Sequence, residues 1–114
     1  MVGLVKIKPM FKFWLETNTG YAFGEGPFNI LSKVKELGTL SGAAENLHMS
    51  YRQAWGMIRE IEQELGEPLL KAHRGGTSGG GAELTEAGLA LLSQYSKTKR
   101  ELEEFSKKII AGYK

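Results

Sequence analysis

Residues 50–65, SYRQAWGMIREIEQEL, leave little freedom in what this chain folds into. On a helical wheel Ala54, Ile58, Ile61 and Leu65 share one side, which is the spacing of a helix with a stripe buried in a core. Arg52, Gly56, Arg59 and Gln63 fall opposite, with Tyr51, Gln53 and Trp55 on the flanks. Ser50 is placed to accept from the free N–H groups of the first turn, and Gln53, three residues on, to reach back in a capping box. Gly66 and then Pro68 stop the helix. One face is thus anchored, and the other gathers long polar, aromatic and glycine residues towards its N-terminus.

The segments on either side fit around that helix. Residues 1–9 end in Pro9 and read as a loosely held lead-in. Residues 10–24 predict a hairpin. In MFKFWLE, Phe11, Phe13 and Leu15 alternate with Lys12, Trp14 and Glu16; Thr17 to Gly20 is turn chemistry, and residues 21–24 return. Residues 27–65 predict three helices joined by tight turns. Pro27 opens the first, Ile30, Leu31, Val34 and Leu37 form its stripe, and Gly38 closes it. Ser41 is the expected cap of the second, whose Ala43, Ala44 and Leu47 are small or apolar where two helices cross closely. With only His48 and Met49 before Ser50, the last two helices form a helix-turn-helix. In that arrangement the N-terminal residues of the second helix enter the major groove of DNA.

Residues 69–84 predict a wing: a strand over 69–74, the glycine-rich loop GGTSGGG, and a return over 82–84. Thr85 caps a last helix over residues 85–111. At 1.5 Å per residue such a helix spans roughly 40 Å, too long for so small a domain to cover. Within it Leu91, Tyr95, Thr98, Leu102, Phe105 and Ile109 repeat at alternating intervals of four and three, a heptad seam. The expectation is a homodimer paired through this helix with help from the hairpin; the alternative is a helix folded back on its own domain. The fold class expected is mainly α (α+β), a winged helix-turn-helix in a single domain.

Composition narrows the function classes. The 114 residues carry a net charge of +2, which permits a polyanion partner without demanding one. Without cysteine there are no disulfides, iron–sulfur clusters or thiolate metal sites, and a reducing, cytoplasmic compartment is compatible. No secretory signal is expected, and no run is long and apolar enough to span a membrane. His48 and His73 have no third ligand beside them, so no metal site is expected; His48 is better explained by the turn it occupies. The loop GGTSGGG lacks the lysine–Ser/Thr ending of a nucleotide-binding P-loop. No nucleophile–base–orienter set is present, so no enzyme is expected.

The candidate residues therefore concern DNA. From the capped start at Ser50, Arg52 and Gln53 are the best base readers, since arginine pairs bidentately with guanine and glutamine with adenine. Tyr51 either reaches a phosphate or packs under the turn. For Trp55, packing outweighs DNA contact, and the sequence leaves both open. Gly56 in mid-helix costs about 0.5–1 kcal/mol relative to alanine, accepted either for close approach to a phosphate backbone or for helix crowding. Arg59 suits a phosphate. Lys71, His73, Arg74, Gly76, Thr77 and Ser78 are the wing's contributions. Glu45, Glu60, Glu62 and Glu64 make the field around Arg52 and Arg59 not basic. The alternatives are a protein-interaction adaptor and a sequence-independent chromosomal protein.

Residues 37–92 resemble the winged-helix domain of LysR-type regulators and, more closely, of ModE-type molybdate-responsive regulators. LGTLSGAAENLHMS, ELGEPLL and LTEAG are similar to both families. SYRQAW resembles the SY-basic-x-AW motif of the ModE type, and GGTSGGGAELT its GG-x-x-GGGA-x-LT wing. The resemblance implies a sequence-specific, DNA-binding regulator of transcription, dimeric on an inverted-repeat site, with a part in molybdate or tungstate uptake. Members of this kind carry a second region for the oxyanion. Here the sequence reaches Gly112-Tyr113-Lys114 directly after the long helix, so no molybdate or tungstate cofactor is expected on this chain. A separate oxyanion-sensing protein, or none, would then govern it.

Overall fold

The computed structural model describes residues 9–20, 22–74 and 80–112. The lead-in at residues 1–8 and the middle of the wing loop lie outside them. Element order is β1 (Leu15–Glu16), β2 (Ala22–Phe23), α1 (Glu25–Leu37), α2 (Leu40–Asn46), α3 (Tyr51–Leu65), β3 (Leu70–Arg74), β4 (Gly80–Leu84) and α4 (Glu86–Ala111).

The expected hairpin is present but shorter than its sequence alternation. Only Leu15 and Glu16 pair, with Phe23 and Ala22, across a turn closed by Gly20 N–H donating to the Thr17 carbonyl at 2.9 Å, with Gly20 at φ +89°. Residues 10–14 carry no ladder, and Phe11 is exposed rather than inward. Helix α1 starts at Glu25, leaving Pro27 in its first turn, and Gly38 caps it in the left-handed region. Ile30, Leu31 and Val34 are buried as expected, but Leu37 is not. It is the last residue of the helix and lies over the following turn beside Gly42. The cap of α2 is Thr39, not Ser41: its Oγ1 accepts from Gly42 N–H at 2.9 Å, which starts the helix one residue before Ser41.

The turn from α2 to α3 needs a left-handed residue, and His48 supplies it at φ +60°. His48 N–H donates to the Glu45 carbonyl and Met49 N–H to that of Ala44, so the carbonyls ending α2 are satisfied within the turn. Helix α3 then begins on its predicted capping box and ends at Gly66. Ala54, Ile58 and Ile61 join the core, whereas Leu65 is exposed, its last turn running past the core to line an open cavity with the hairpin turn.

The core is closed by α4. Thr85 Oγ1 accepts from Gly88 N–H at 3.1 Å and donates to the Pro68 carbonyl at 2.6 Å. Gly88 lies so close to the Leu69 carbonyl that a Cβ there would collide with it. About two turns later Tyr95, only 2% exposed, is stacked between Phe13 (centroids 4.6 Å apart) and Phe28 (4.4 Å), with Phe23 edge-on at 5.7 Å. This corrects the expected dimer seam. Tyr95 belongs to the core of its own domain, and Leu91 packs against that core. Thr98 and Leu102 are half-buried, and beyond them Phe105 and Ile109 are exposed. Helix α4 thus leaves the body, which stretches the described residues to 62 × 32 × 21 Å.

Burial first, and the nearby Glu25 carboxylate second, push the Tyr95 phenol above its ordinary value. A tyrosine whose pKa is raised on folding gives stability that is intact below about pH 10 and is lost as pH rises towards the folded value. Thermal melts between pH 8 and 11.5 are expected to show a smaller alkaline loss for Tyr95→Phe than for wild type.

Candidate nucleic-acid interface

Helix α3 holds its outward side chains on a firm base. Its inner stripe is buried, and at its start Ser50 Oγ accepts from Gln53 N–H at 3.0 Å while Gln53 Oε1 accepts from Ser50 N–H at 3.3 Å. That pairing limits Gln53. The bidentate contact to adenine needs its Oε1, which accepts from Ser50 N–H, so base reading by Gln53 gives up that one bond of the capping box, about 0.5–1.5 kcal/mol, while the Ser50 cap itself stays. Arg52 is exposed and makes no ion pair among the described residues. Tyr51 is 54% exposed and so is not packed under the turn.

Trp55 is 47% exposed, which overturns the expectation that packing would claim it. The inner stripe of α3 is already filled by Ala54 and Ile58, and the indole is left outside. The Arg59 guanidinium lies over its ring, 5.1 Å from the centroid, and 3.8 Å from Glu62 Oε1. Apart from its two chain neighbours and the helix's own backbone, no atom lies within 4 Å of where a Cβ on Gly56 would stand, so crowding between helices is not the reason for this glycine.

The antiparallel β3–β4 ladder pairs Leu70 with Leu84 through to Arg74 with Gly80. It begins two residues earlier on the return strand than the sequence suggests, because Gly81 is packed rather than loose. Ala82 N–H donates to the Gly38 carbonyl at 2.9 Å, and a Cβ on Gly81 would stand 2.6 Å from that oxygen. Lys71 pairs across the ladder with Glu83 at 3.4 Å; both are exposed, and such a pair is worth at most about 1 kcal/mol. A phosphate could therefore draw Lys71 away at little cost. Gly76, Thr77 and Ser78 lie outside the described residues, as do the side chains of His73 and Arg74.

The family model for bacterial regulatory helix-turn-helix proteins of the lysR family matches residues 28–89, running from α1 through the wing into α4. The chain belongs to that family. Among relatives by sequence, the molybdenum-pterin-binding protein MopA of Rhodobacter capsulatus is 35% identical over 72 residues, 63% of this chain and 27% of its own length. The molybdenum transport protein ModE of Azotobacter vinelandii is 31% identical over 81 residues, 71% of this chain and 30% of its own. The chain thus spans less than a third of the length of these relatives. Among solved structures, the DNA-binding domain of CbnR in complex with DNA is similar at a TM-score of 0.60 and 26% identity, covering 79% of this chain and 99% of that one. ArgP from Mycobacterium tuberculosis is similar at 0.57 and 26%, covering 75% and 30%.

In this lysR-family domain one residue that shapes the candidate interface has no local sequence signal. Glu62, read in the sequence only as an unfavourable charge, has a side chain just 13% exposed. Its Oε2 accepts from Leu69 N–H at 2.8 Å and Leu70 N–H at 3.3 Å. The same carboxylate therefore fixes the root of the wing to α3 and flanks Arg59. Only the seven-residue return of the chain onto the helix reveals it, and no local motif marks that return. Among the described residues no group of three or more His, Asp or Glu is placed to hold a metal.

Glu62→Ala strands two backbone donors at the wing root and is expected to lower stability by about 1.5–3 kcal/mol in urea unfolding. Glu62→Gln, which keeps an acceptor oxygen, should lose less.

Proposed function

We propose that this chain binds double-stranded DNA sequence-specifically as a homodimer and regulates transcription. Residues 51–59 of each protomer enter a major groove, and each wing lies along a phosphate backbone. The observation that carries the reading is the division of α3: its inner stripe is sealed in the core while Tyr51, Arg52, Trp55 and Arg59 all stand exposed on the outside. The buried stripe fixes the angle at which those side chains meet a groove, and recognition depends on such fixed placement. The attraction comes from Arg52, Arg59 and Lys71, from the dipoles of helix N-termini, and from the doubling of all of these in a dimer. Such a regulator works in the cytoplasm.

Dimerisation is supported by the distal half of α4. Phe105 is 61% exposed, and Ile109 and Ile110 are exposed with it. Met10, Phe11 and Trp14 are exposed too, and these residues rim an open groove of about 770 Å³ between residues 9–14 and α4. Apolar side chains so placed are stabilised by a second copy of the helix. Two-fold pairing calls for an inverted repeat with half-sites one or more helical turns, about 34–36 Å each, apart.

Selection of bound fragments from random duplex DNA at about 150 mM salt is expected to recover such a repeat, and the Arg52→Ala protein to lose preference within it. Retention without enrichment would sink sequence specificity, and no retention would sink DNA binding altogether. In sedimentation, wild type is expected as a dimer, and Phe105→Glu with Ile109→Glu as a folded monomer whose affinity for the full repeat falls at least tenfold; a double variant that still sediments as a dimer would exclude this seam.

A further inference from the structure

Gly56 stands in the middle of the outward ridge of α3, between Arg52 one turn before and Arg59 and Gln63 in the turns after. A glycine there weakens the helix, and nothing in the fold repays it, since the space a Cβ would occupy is open. Two of the long neighbours are also drawn away from this point. Arg59 is held over the Trp55 ring and beside Glu62, which share the flank of the helix away from Gly56. Gln53, one turn earlier on the near flank, is folded back into the capping box. The result is a notch of bare backbone on a ridge of long side chains, with Arg52 at its rim.

We infer that Gly56 is where bound duplex DNA comes into van der Waals contact with the backbone of α3, so that the missing side chain sets how deeply the helix seats. This inference rests on the DNA-binding reading and deepens it. A methyl group at residue 56 holds the DNA surface off and lengthens every contact made by Arg52 and Arg59. A larger side chain holds it off further.

The test pairs two readouts of opposite sign on Gly56→Ala and Gly56→Leu. Both variants are expected to raise Tm, because each residue is a better helix former than glycine and its Cβ meets only open space. Affinity for the duplex recovered by wild-type selection is expected to fall at least tenfold for alanine and further for leucine, measured by fluorescence anisotropy. A parallel titration on a scrambled duplex identifies the contacting surface. Loss confined to the selected duplex means a base-pair edge seats at Gly56, and equal loss on both means the sugar–phosphate backbone does. Wild-type affinity retained by both variants overturns the inference while leaving DNA binding intact. A fall in Tm alongside the lost affinity overturns it as well, since the glycine would then serve packing. Wild-type protein that retains no duplex overturns the DNA-binding reading and this inference with it.

Discussion

A single tyrosine ring, sandwiched between two phenylalanines with a third edge-on, decides where the longest helix of this protein can go. Phe13 comes from the segment before β1, Phe23 from β2, Phe28 from α1 and Tyr95 from α4, so one cluster ties the last helix to three stretches near the start of the chain. Aromatic pairs in such geometry add about 0.5–1.5 kcal/mol each beyond the area they bury. No residue of α4 after Tyr95 is buried, so the core ends where the cluster does. The short hairpin thus serves chiefly to bring Phe13 and Phe23 to this ring.

The other half of the domain is set by the packing of α3. Its inner stripe meets the core, its N-terminus is closed by the capping box, and its C-terminal turn, through Glu62, receives the chain that builds the wing. The wing is in turn bound to the end of α1, where Ala82 meets the Gly38 carbonyl and Gly81 allows it. Helix α3 and the wing root are therefore joined through the Glu62 carboxylate, and the wing to α1 by a backbone hydrogen bond. Left outside are an arginine with no ion pair among the described residues, a stacked arginine–tryptophan pair and an exposed tyrosine.

Local signals are mostly legible, the cap of α2 at Thr39 rather than Ser41 being an exception. The capping box at Ser50 and Gln53, the glycine caps at Gly38 and Gly66, and the Thr85 start of α4 depend on neighbours within a turn, and all stand where the sequence puts them. Features that depend on distant partners were not legible. A heptad spacing around Tyr95 is equally the spacing of a stripe buried on its own domain, and only the arrival of Phe13 and Phe28 decides between them. Trp55 looked half inward because the wheel cannot tell that Ala54 and Ile58 already fill the space. Leu37 and Leu65 each continue an apolar stripe beyond the point at which the core stops.

The protruding half of α4 also acts as a lever. From Tyr95 to the end of the helix is roughly 24 Å at the helical rise, so a tilt of about 10° at the aromatic pivot displaces the tip by about 4 Å. Two copies joined at their tips would convert such a tilt into a change in the separation of their recognition helices. In such a pair the packing around one phenol ring would help set which spacing of half-sites can be spanned.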